Sequence, residues 1–288
     1  MNNVFLRSAL TALISVCIGG LAYAGDNYPR RIVSLGPSVT EELYLLGAGD
    51  RVVGVTNYCL KPPQAREKEK VGTVKEANLE RIIDLKPDLV IATSLTDLKA
   101  LAKLRDMGIK VITVPQPKDF SQICAHFLEL GSVVGKRAEA EDIIVKARDR
   151  IRAIQDKCKN SPKADVFVQI GAKPLVTANR DSFFNDLVEL SGGVNIAAAS
   201  RGLSYMPYSR EKVLEADPDV IIIVTMGIAG KAEKELWETF KNLKAVKDKR
   251  IYIVDSDKFC SLTPLTFVEA LEEISGILHP DPRNGVKR

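Results

Sequence analysis

Two glutamates occupy the same place in a repeated segment, and their spacing suggests recognition of positive charge. The stretches Asn78–Ala92 and Ser209–Ile223 share a short amphipathic helix pattern, a Pro-Asp pair and an apolar β-branched run. Glu80 in the first copy matches Glu211 in the second. The helix macrodipole alone favours an exposed acid near a helix N-terminus. The repetition of this acid in both copies indicates a pseudo-symmetric pair that can bind arginines on a two-fold partner.

A second group of residues falls after predicted strands, in loops that could line a ligand site. Aromatic rings there can cover a large flat ligand, and their hydroxyl groups can bind its polar edge. The alternative is that each tyrosine packs over its own loop. Because such residues fall in loops of both halves, we predict that they face one site. These candidates are Pro37, Tyr58, Tyr205, Tyr208, Asp257 and Phe259.

Motifs for covalent, nucleotide or metal chemistry are missing from the sequence. Gly47 and Gly49 follow a predicted helix and precede a strand, the reverse of the order in a phosphate-binding loop. There is no Walker A sequence, no GxSxG, no HExxH and no CxxC. With only His126 and His279 as imidazoles, a Ser-His-Asp triad is disfavoured. We therefore expect no catalytic residues and no metal site.

The scaffold predicted for these loops is an α/β fold with two similar lobes. Strands alternate with helices in both halves, which indicates parallel sheets covered by helices on both faces. We expect the lobes to have the same order of elements. Ligands of such sheets bind outside the carboxyl ends of the strands, so the candidate loops should face each other across a cleft. The strands are predicted at 31–35, 52–55, 89–92, 110–114, 164–170, 220–223 and 250–254.

A long helix is predicted to connect the lobes. Helical patterns cover 120–134 and 136–159 without a strand between them, and the second reaches about 35 Å at 1.5 Å per residue. So stiff a connector allows only modest lobe movement. The predicted division is a signal peptide at 1–24, a first lobe at 25–135, a connecting helix at 136–160 and a second lobe at 161–288.

The N-terminus predicts export to the periplasm. Arg7 precedes an apolar run, and Ala22-Tyr23-Ala24 is a small-x-small cleavage site. A transmembrane anchor is disfavoured because the run is shorter than the roughly 20 residues that cross a bilayer. Lipid attachment at Cys17 is disfavoured because it would cut the run in half. The formal net charge of +4 is too weak to suggest nucleic-acid binding.

Four cysteines follow the signal peptide, in a compartment that permits disulfides. Cys59 and Cys260 fall on the proposed cleft rim, one in each lobe, and a bond between them would clamp the cleft shut. The sequence leaves open whether they pair. Cys124 and Cys158 lie on consecutive helices about 18 Å out of step, so we predict buried free thiols for them.

The chain resembles the class III substrate-binding proteins of ABC importers, and most closely the cobalamin-binding members. The resemblance covers nearly all of Arg31–Ile277. It implies two Rossmann-like lobes joined by one helix, a metal chelate between them, and an ABC permease and ATPase complex as partner. The motifs are Arg31–Glu41, Gly54–Tyr58 with Pro62–Gln64, Asn78–Ile82 with Lys86–Ile91, Gly192–Ile196, Ser209–Glu211 and Ser256–Phe259.

The resemblance also implies roles for individual residues. Tyr58 resembles the tyrosine that covers the corrin from the first lobe, and Asp257 resembles the acid at the ligand edge. Tyr205 stands near a second-lobe tryptophan of the family, although a one-residue insertion allows Tyr208 to take that place. The two repeated glutamates match those that dock onto permease arginines. The full expected ligand-binding set is Pro37, Ser38, Tyr58, Val74, Thr93, Gly171, Tyr205, Tyr208, Asp257, Phe259 and Ser261.

The departures from the family pattern concern the ligand. Val74 and Thr93 stand where the cobalamin binders have tryptophans, and Ser261 stands where they have an arginine. Haem binders ligate the metal with a tyrosine or histidine in the region that corresponds to 72–74, and this chain has neither residue there. Arg180 and Arg201 could bind an anionic ferric siderophore.

The sequence predicts a monomeric exported protein that binds a corrinoid and delivers it to an inner-membrane ABC importer, without catalysis or a cofactor of its own. The alternatives are a ferric siderophore or haem as ligand, or a periplasmic chelatase or other enzyme.

Overall fold

The computed structural model describes residues 28–225 and 230–280, so the predicted signal peptide, Arg7 and Cys17 lie outside the described residues. The first lobe is built on a five-stranded parallel sheet in the order β3-β2-β1-β4-β5. Its elements are β1 (Ile32–Ser34), α1 (Pro37–Leu45), β2 (Val52–Val55), β3 (Glu69–Lys70), α2 (Leu79–Asp84), β4 (Leu89–Thr93), α3 (Leu98–Asp106) and β5 (Val111–Val114). Short 3₁₀ helices cover Gly49–Arg51 and Pro63–Glu67.

The lobes are joined through two consecutive helices, α4 (Phe120–Val133) and α5 (Arg137–Cys158). Helix α5 has 22 residues and buries one face, on which Ala140, Ile144 and Ala147 recur at helical spacing. At the start of α4 the backbone N–H of Phe120 donates to Asp186 Oδ2 of the second lobe at 2.7 Å. The connection is therefore a packed helix rather than a flexible linker.

The second lobe contains a four-stranded parallel sheet in the order β12-β11-β6-β9 and a separate antiparallel sheet in the order β10-β8-β7. Its elements are β6 (Asp165–Gln169), β7 (Gly171–Ala172), β8 (Leu175–Ala178), α6 (Phe183–Leu190), β9 (Val194–Asn195), β10 (Tyr205–Pro207), α7 (Arg210–Ala216), β11 (Val220–Val224), α8 (Gly230–Glu238), α9 (Lys244–Lys247), β12 (Ile251–Val254), α10 (Ser256–Cys260) and α11 (Pro264–Leu278).

This architecture confirms the two-lobe α/β prediction and corrects one part of it. The expectation that both lobes have the same order of elements is wrong, because the hairpin β7–β8 lies between β6 and α6, and β10 pairs with it. These strands have two to four residues each, too few for an alternating pattern to emerge from the sequence.

The repeated Pro-Asp pairs have a structural role in both lobes. Asp88 Oδ1 accepts the backbone N–H of Arg31 at 3.0 Å, just before β1. Asp219 Oδ2 accepts the backbone N–H of Asp165 at 2.9 Å, at the first residue of β6. Asp88 directly precedes β4, which pairs with β1, and Asp219 directly precedes β11, which pairs with β6. Each aspartate thus fixes the start of the neighbouring strand.

A buried polar network lies in the second lobe beside α7. Trp237, fully buried, donates its indole N–H to Gln169 Oε1 at 2.6 Å, and Gln169 Nε2 donates to Glu233 Oε2 at 2.7 Å. Arg210 donates to the same carboxylate at 2.5 Å and lies over the Trp237 ring at 4.5 Å. Because Arg210 is the first residue of α7, the network fixes the start of the helix that carries Glu211.

Candidate functional site

A cavity lies between the lobes, where loops that follow β1, β4 and β5 meet the segment around α10. The strands of the first lobe are parallel, so the loops at their carboxyl ends meet at one edge of the sheet. Helix α1 begins here because Pro37 sets a helical φ and needs no hydrogen-bond partner for its nitrogen. Five predicted ligand residues line this cavity: Pro37, Ser38, Val74, Thr93 and Ser261.

Three other predicted residues lie outside the cavity wall. Tyr58 is 61% exposed and follows β2 at the same edge of the first-lobe sheet. Asp257 is exposed and lies in α10, three residues before the cavity-lining Cys260. Gly171 is half-buried in β7 and pairs with Val176 of β8. A ligand has to extend beyond the enclosed cavity to contact them.

The structure distinguishes between the two second-lobe tyrosines. Tyr205 Oη accepts a hydrogen bond from Gln116 Nε2 of the first lobe at 3.4 Å, and its ring meets that of Phe183 edge-on at 6.3 Å. Both partners line the cavity. Tyr208 instead packs on Phe167 at 5.8 Å, in the core that surrounds Trp237. Tyr205 therefore supports the cavity wall, whereas Tyr208 belongs to the second-lobe core.

The prediction that the Phe259 ring faces a ligand is wrong. Its side chain is 0% exposed and belongs to the main hydrophobic core. Burial of the large apolar ring is favourable, and it leaves the next residues, Cys260, Ser261 and Leu262, to line the cavity.

Several residues of the cavity wall were not predicted from the sequence, among them Glu42, Gln116 and His126. The sequence did carry a signal for Glu42. It lies three residues after Val39 and four before Leu46, both buried, so helical spacing places this acid on the inner face of α1.

The electrostatics of the wall follow from burial. Burial, followed by the charge of Glu41, raises the pKa of Glu42 to about 8. The pKa of Glu41 is raised to about 7, chiefly by burial, with Asp257 and Glu269 adding to the effect. Burial also lowers the pKa of His126. Glu42 is thus mainly protonated and His126 neutral at neutral pH.

No lysine or arginine of the described residues lines this cavity. Arg180 and Arg201, the candidate partners of an anionic siderophore, are both exposed, and Arg180 Nε donates to the backbone oxygen of Ala198 at 3.1 Å. The wall is polar through hydroxyl, amide and carboxyl groups rather than through cations.

The four described cysteines are free thiols. Cys59 is buried, with Thr40 Oγ1 at 3.2 Å and Thr56 Oγ1 at 3.1 Å from its sulfur. Cys260 lines the cavity, and its pKa is raised to about 12 by burial and then by Asp257. A thiol with so high a pKa is a poor nucleophile at neutral pH.

The two repeated acids are exposed on matching helices. Each is the second residue of its helix, Glu80 in α2 and Glu211 in α7. The side chain of Asn78 accepts the backbone N–H of Arg81 at 3.1 Å, and that of Ser209 accepts the backbone N–H of Lys212 at 3.3 Å. These N-caps fix the first turn of each helix, so both acids project from rigid positions.

Clusters of metal ligands and membrane-spanning helices are both absent from the described ranges. There, His, Cys, Asp and Glu side chains form no group of three or more that could hold a metal ion. Within 28–225 and 230–280, no helix has both the length and the apolar composition needed to cross a bilayer.

Two lobes, a packed helical connection and a cleft at the carboxyl ends of the strands define a ligand-binding protein of the periplasmic type. The chain belongs to the periplasmic binding protein family, whose pattern it matches over residues 32–258.

The relatives of this chain include an ABC transporter substrate-binding lipoprotein and vitamin B12-binding proteins. The chain is 33% identical over 260 residues to the uncharacterized ABC transporter substrate-binding lipoprotein YvrC of Bacillus subtilis. The aligned region covers 88% of this chain and 81% of YvrC. The periplasmic vitamin B12-binding protein BtuF of Vibrio cholerae superimposes with a TM-score of 0.74 at 30% identity, over 87% of this chain and 96% of BtuF. A periplasmic haem-binding protein of Pseudomonas aeruginosa shares the fold, with a TM-score of 0.78 at 24% identity over 88% and 94% of the two chains.

Proposed function

We propose that this protein captures a corrinoid, cobalamin or a related cobamide, in the periplasm and delivers it to an ABC permease and ATPase complex of the inner membrane. It acts as a monomer, with no covalent chemistry and no cofactor of its own. Similarity to vitamin B12-binding proteins supports this ligand class, and the uncharged cleft wall favours it over the alternatives.

The observation that carries the choice of ligand is the lack of lysine and arginine among the cavity-lining residues of the described ranges. A corrinoid presents neutral carboxamide side chains at the edge of its ring. Haem presents two carboxylates, and ferric siderophore complexes are commonly anionic. Burying an anionic group beside Glu42 without a cation would be costly, whereas carboxamides can bond to the neutral groups of Ser38, Gln116 and Ser261.

The size of the cavity requires lobe movement on binding. The volume of this partly open cavity is about 190 Å³. Small-molecule sites usually measure roughly 300–1,000 Å³, so a corrinoid needs a wider cleft. We propose that the lobes separate modestly around α5, and that Tyr58 and Asp257 at the mouth then contact the parts of the ligand outside the enclosed space.

Delivery requires a second contact surface. We propose that Glu80 and Glu211 bind arginines of the permease, and that this contact pulls the lobes apart and lowers the affinity for the ligand. A partner can shift the lobe equilibrium only if it binds the open form more tightly. Periplasmic release by a cleaved signal peptide is part of this proposal, with lipid attachment at Cys17 as the alternative because YvrC is a lipoprotein.

Calorimetry and visible spectroscopy of the purified protein test the ligand assignment. We expect one-to-one binding of cyanocobalamin without turnover, a shift of its absorption bands, and much weaker binding of haemin and of a ferric siderophore. Stoichiometric binding of haemin or the siderophore, with no binding of cyanocobalamin, would assign the cleft to those ligands instead. Chemical conversion of any of the three would identify an enzyme.

A further inference from the structure

Glu42 is a buried acid at the cavity wall that no protein group satisfies. Its side chain is 5% exposed and lines the cavity. No hydrogen bond or ion pair from another described residue reaches its carboxyl group, although the backbone oxygen accepts the N–H of Leu46. The described side-chain atoms that are fully enclosed without a partner are Tyr44 Oη and Arg210 Nη1, so the Glu42 carboxyl oxygens open into the cavity, where a ligand can bond to them.

The surroundings of Glu42 define what that partner can be. Ser38 lies one turn earlier on the same face of α1, and His126 of α4 and Cys260 of α10 line the same cavity. None of these side chains carries a full positive charge at neutral pH, because burial lowers the pKa of His126. Because Glu42 is itself mainly protonated, it does not require a cationic ligand. An anionic ligand is disfavoured, since none of these neighbours would supply a positive charge to it.

A protonated carboxyl group offers one O–H donor and one carbonyl acceptor side by side. A primary carboxamide offers the complementary pair, a carbonyl acceptor and an N–H donor, and the two groups can join through two parallel hydrogen bonds. The raised pKa of Glu42 keeps the required proton on the side chain at neutral pH.

We propose that Glu42 is a specificity-determining residue that binds one carboxamide of the ligand in this cavity and discriminates against carboxylates. This inference rests on the proposed corrinoid function and names the contact that selects the ligand. A carboxylate in the same place would face an acid with no compensating cation, so its binding would be weakened.

The test compares Glu42→Gln and Glu42→Leu with the wild-type protein, using calorimetry with cyanocobalamin and with its monocarboxylic acids, in which one propionamide is hydrolysed. Glu42→Gln keeps one donor and one acceptor, so we expect affinity within about threefold of wild type at pH 7. Glu42→Leu keeps the volume and removes both, so we expect a loss of about tenfold or more, in line with one hydrogen bond at a desolvated site. Glu215→Leu, at an exposed glutamate of α7 away from the cavity, serves as the control and should leave the affinity unchanged.

The monocarboxylic acids and the pH dependence supply readouts that a purely structural residue would not change. At least one monocarboxylic acid should bind wild type about tenfold more weakly than cyanocobalamin, with that difference reduced in Glu42→Leu. The affinity of the wild-type protein for cyanocobalamin should fall above pH 8, because Glu42 then loses its proton, and the affinity of Glu42→Gln should not fall. Among the other groups that face this region, His126 is neutral there, Cys260 stays protonated, and Glu41, influenced by Lys61, Asp257 and Glu269, is common to both proteins.

Thermal melting of the unliganded variants separates binding from folding. Replacing an unsatisfied buried acid by leucine should raise the melting temperature, whereas removal of a structurally bonded acid would lower it. Equal cyanocobalamin affinities for wild type and Glu42→Leu, or a lower melting temperature of that variant, would overturn the assignment of Glu42. Absence of cyanocobalamin binding by wild type would overturn the corrinoid function itself, and the inference with it.

Discussion

Reversing the charge of the two repeated acids is predicted to abolish transport while leaving ligand binding intact. The double variant Glu80→Lys with Glu211→Lys replaces two exposed side chains that take no part in the cavity wall. Both acids project from the first turns of capped helices, so the perturbation is confined to the surface that we assign to the permease.

The expected losses of folding stability and of permease binding follow from the position of the two side chains. An acid in the first turn of a helix contributes about 0.3–1 kcal/mol to stability, so the double change should cost about 1–2 kcal/mol of the free energy of unfolding. If the permease buries each acid in a hydrogen-bonded pair with an arginine, loss of one partner costs about 2–5 kcal/mol of binding energy. Two such losses, at least about 4 kcal/mol together, weaken permease binding by at least about 700-fold, because 1.4 kcal/mol corresponds to a factor of ten.

The chain offers a matched control on the same two helices. Asp84 and Glu215 are exposed acids four residues after Glu80 and Glu211, in the last turns of α2 and α7. The double variant Asp84→Lys with Glu215→Lys makes the same change in net charge, and lysine near a helix C-terminus is favourable for stability.

The assay is uptake of cobalt-labelled cyanocobalamin by cells that carry each variant in place of the wild-type gene, with calorimetry of the purified proteins alongside. We expect no uptake with the docking variant, wild-type uptake with the control variant, and equal cyanocobalamin affinity for all three proteins. Normal uptake with the docking variant, or equal loss in both variants, would show that the repeated acids do not bind the permease. Loss of cyanocobalamin binding would place them in the ligand site instead.

Three further predictions concern the cleft and the second-lobe core. Tyr205→Phe removes the hydroxyl that accepts from Gln116 across the lobes, so it should weaken cyanocobalamin binding about threefold to tenfold in calorimetry. Tyr208→Phe should have no effect on that affinity, and equal effects of the two changes would contradict their assigned places. Trp237→Phe leaves Gln169 Oε1 without its donor and should lower the free energy of unfolding in urea by about 1–3 kcal/mol; an unchanged midpoint would exclude the network. Native Glu42 keeps its proton up to about pH 8 and the unfolded side chain only up to about 4.5, so the folded state binds more protons in that window and its stability falls as pH rises. Urea unfolding across this window should show a shallower fall for Glu42→Gln than for wild type, by at most about 1.4 kcal/mol per pH unit, and identical slopes would mean that Glu42 is ionised in the folded protein.

Regular elements could be predicted wherever the local pattern is long enough. The strand at Val52–Val55 and the helices near Phe120–Val133 and Arg137–Cys158 fall where the sequence indicates them, since apolar spacing and the adjacent glycines act within a few residues. The strands β7, β8 and β10 were missed because pairing with distant segments, not local preference, makes such short strands form.

The candidate site was predicted in part for a similar reason. Pro37, Ser38 and Thr93 directly follow or end parallel strands, and the topology of the sheet places such residues at one edge. Phe259 also follows a strand, but burial in the core was more favourable for its ring than exposure in the cleft.

The amino-acid sequence by itself determined the two α/β lobes, the helix between them and the matched acids on α2 and α7. These features depend on periodicity, caps and prolines, which act over a few residues, and the same pattern occurs twice. Only the tertiary structure decided which side chains line the cleft. Tyr205 reaches its wall through Gln116, 89 positions away, and Glu42 faces a space enclosed by both lobes, so neither role exists until distant segments pack together.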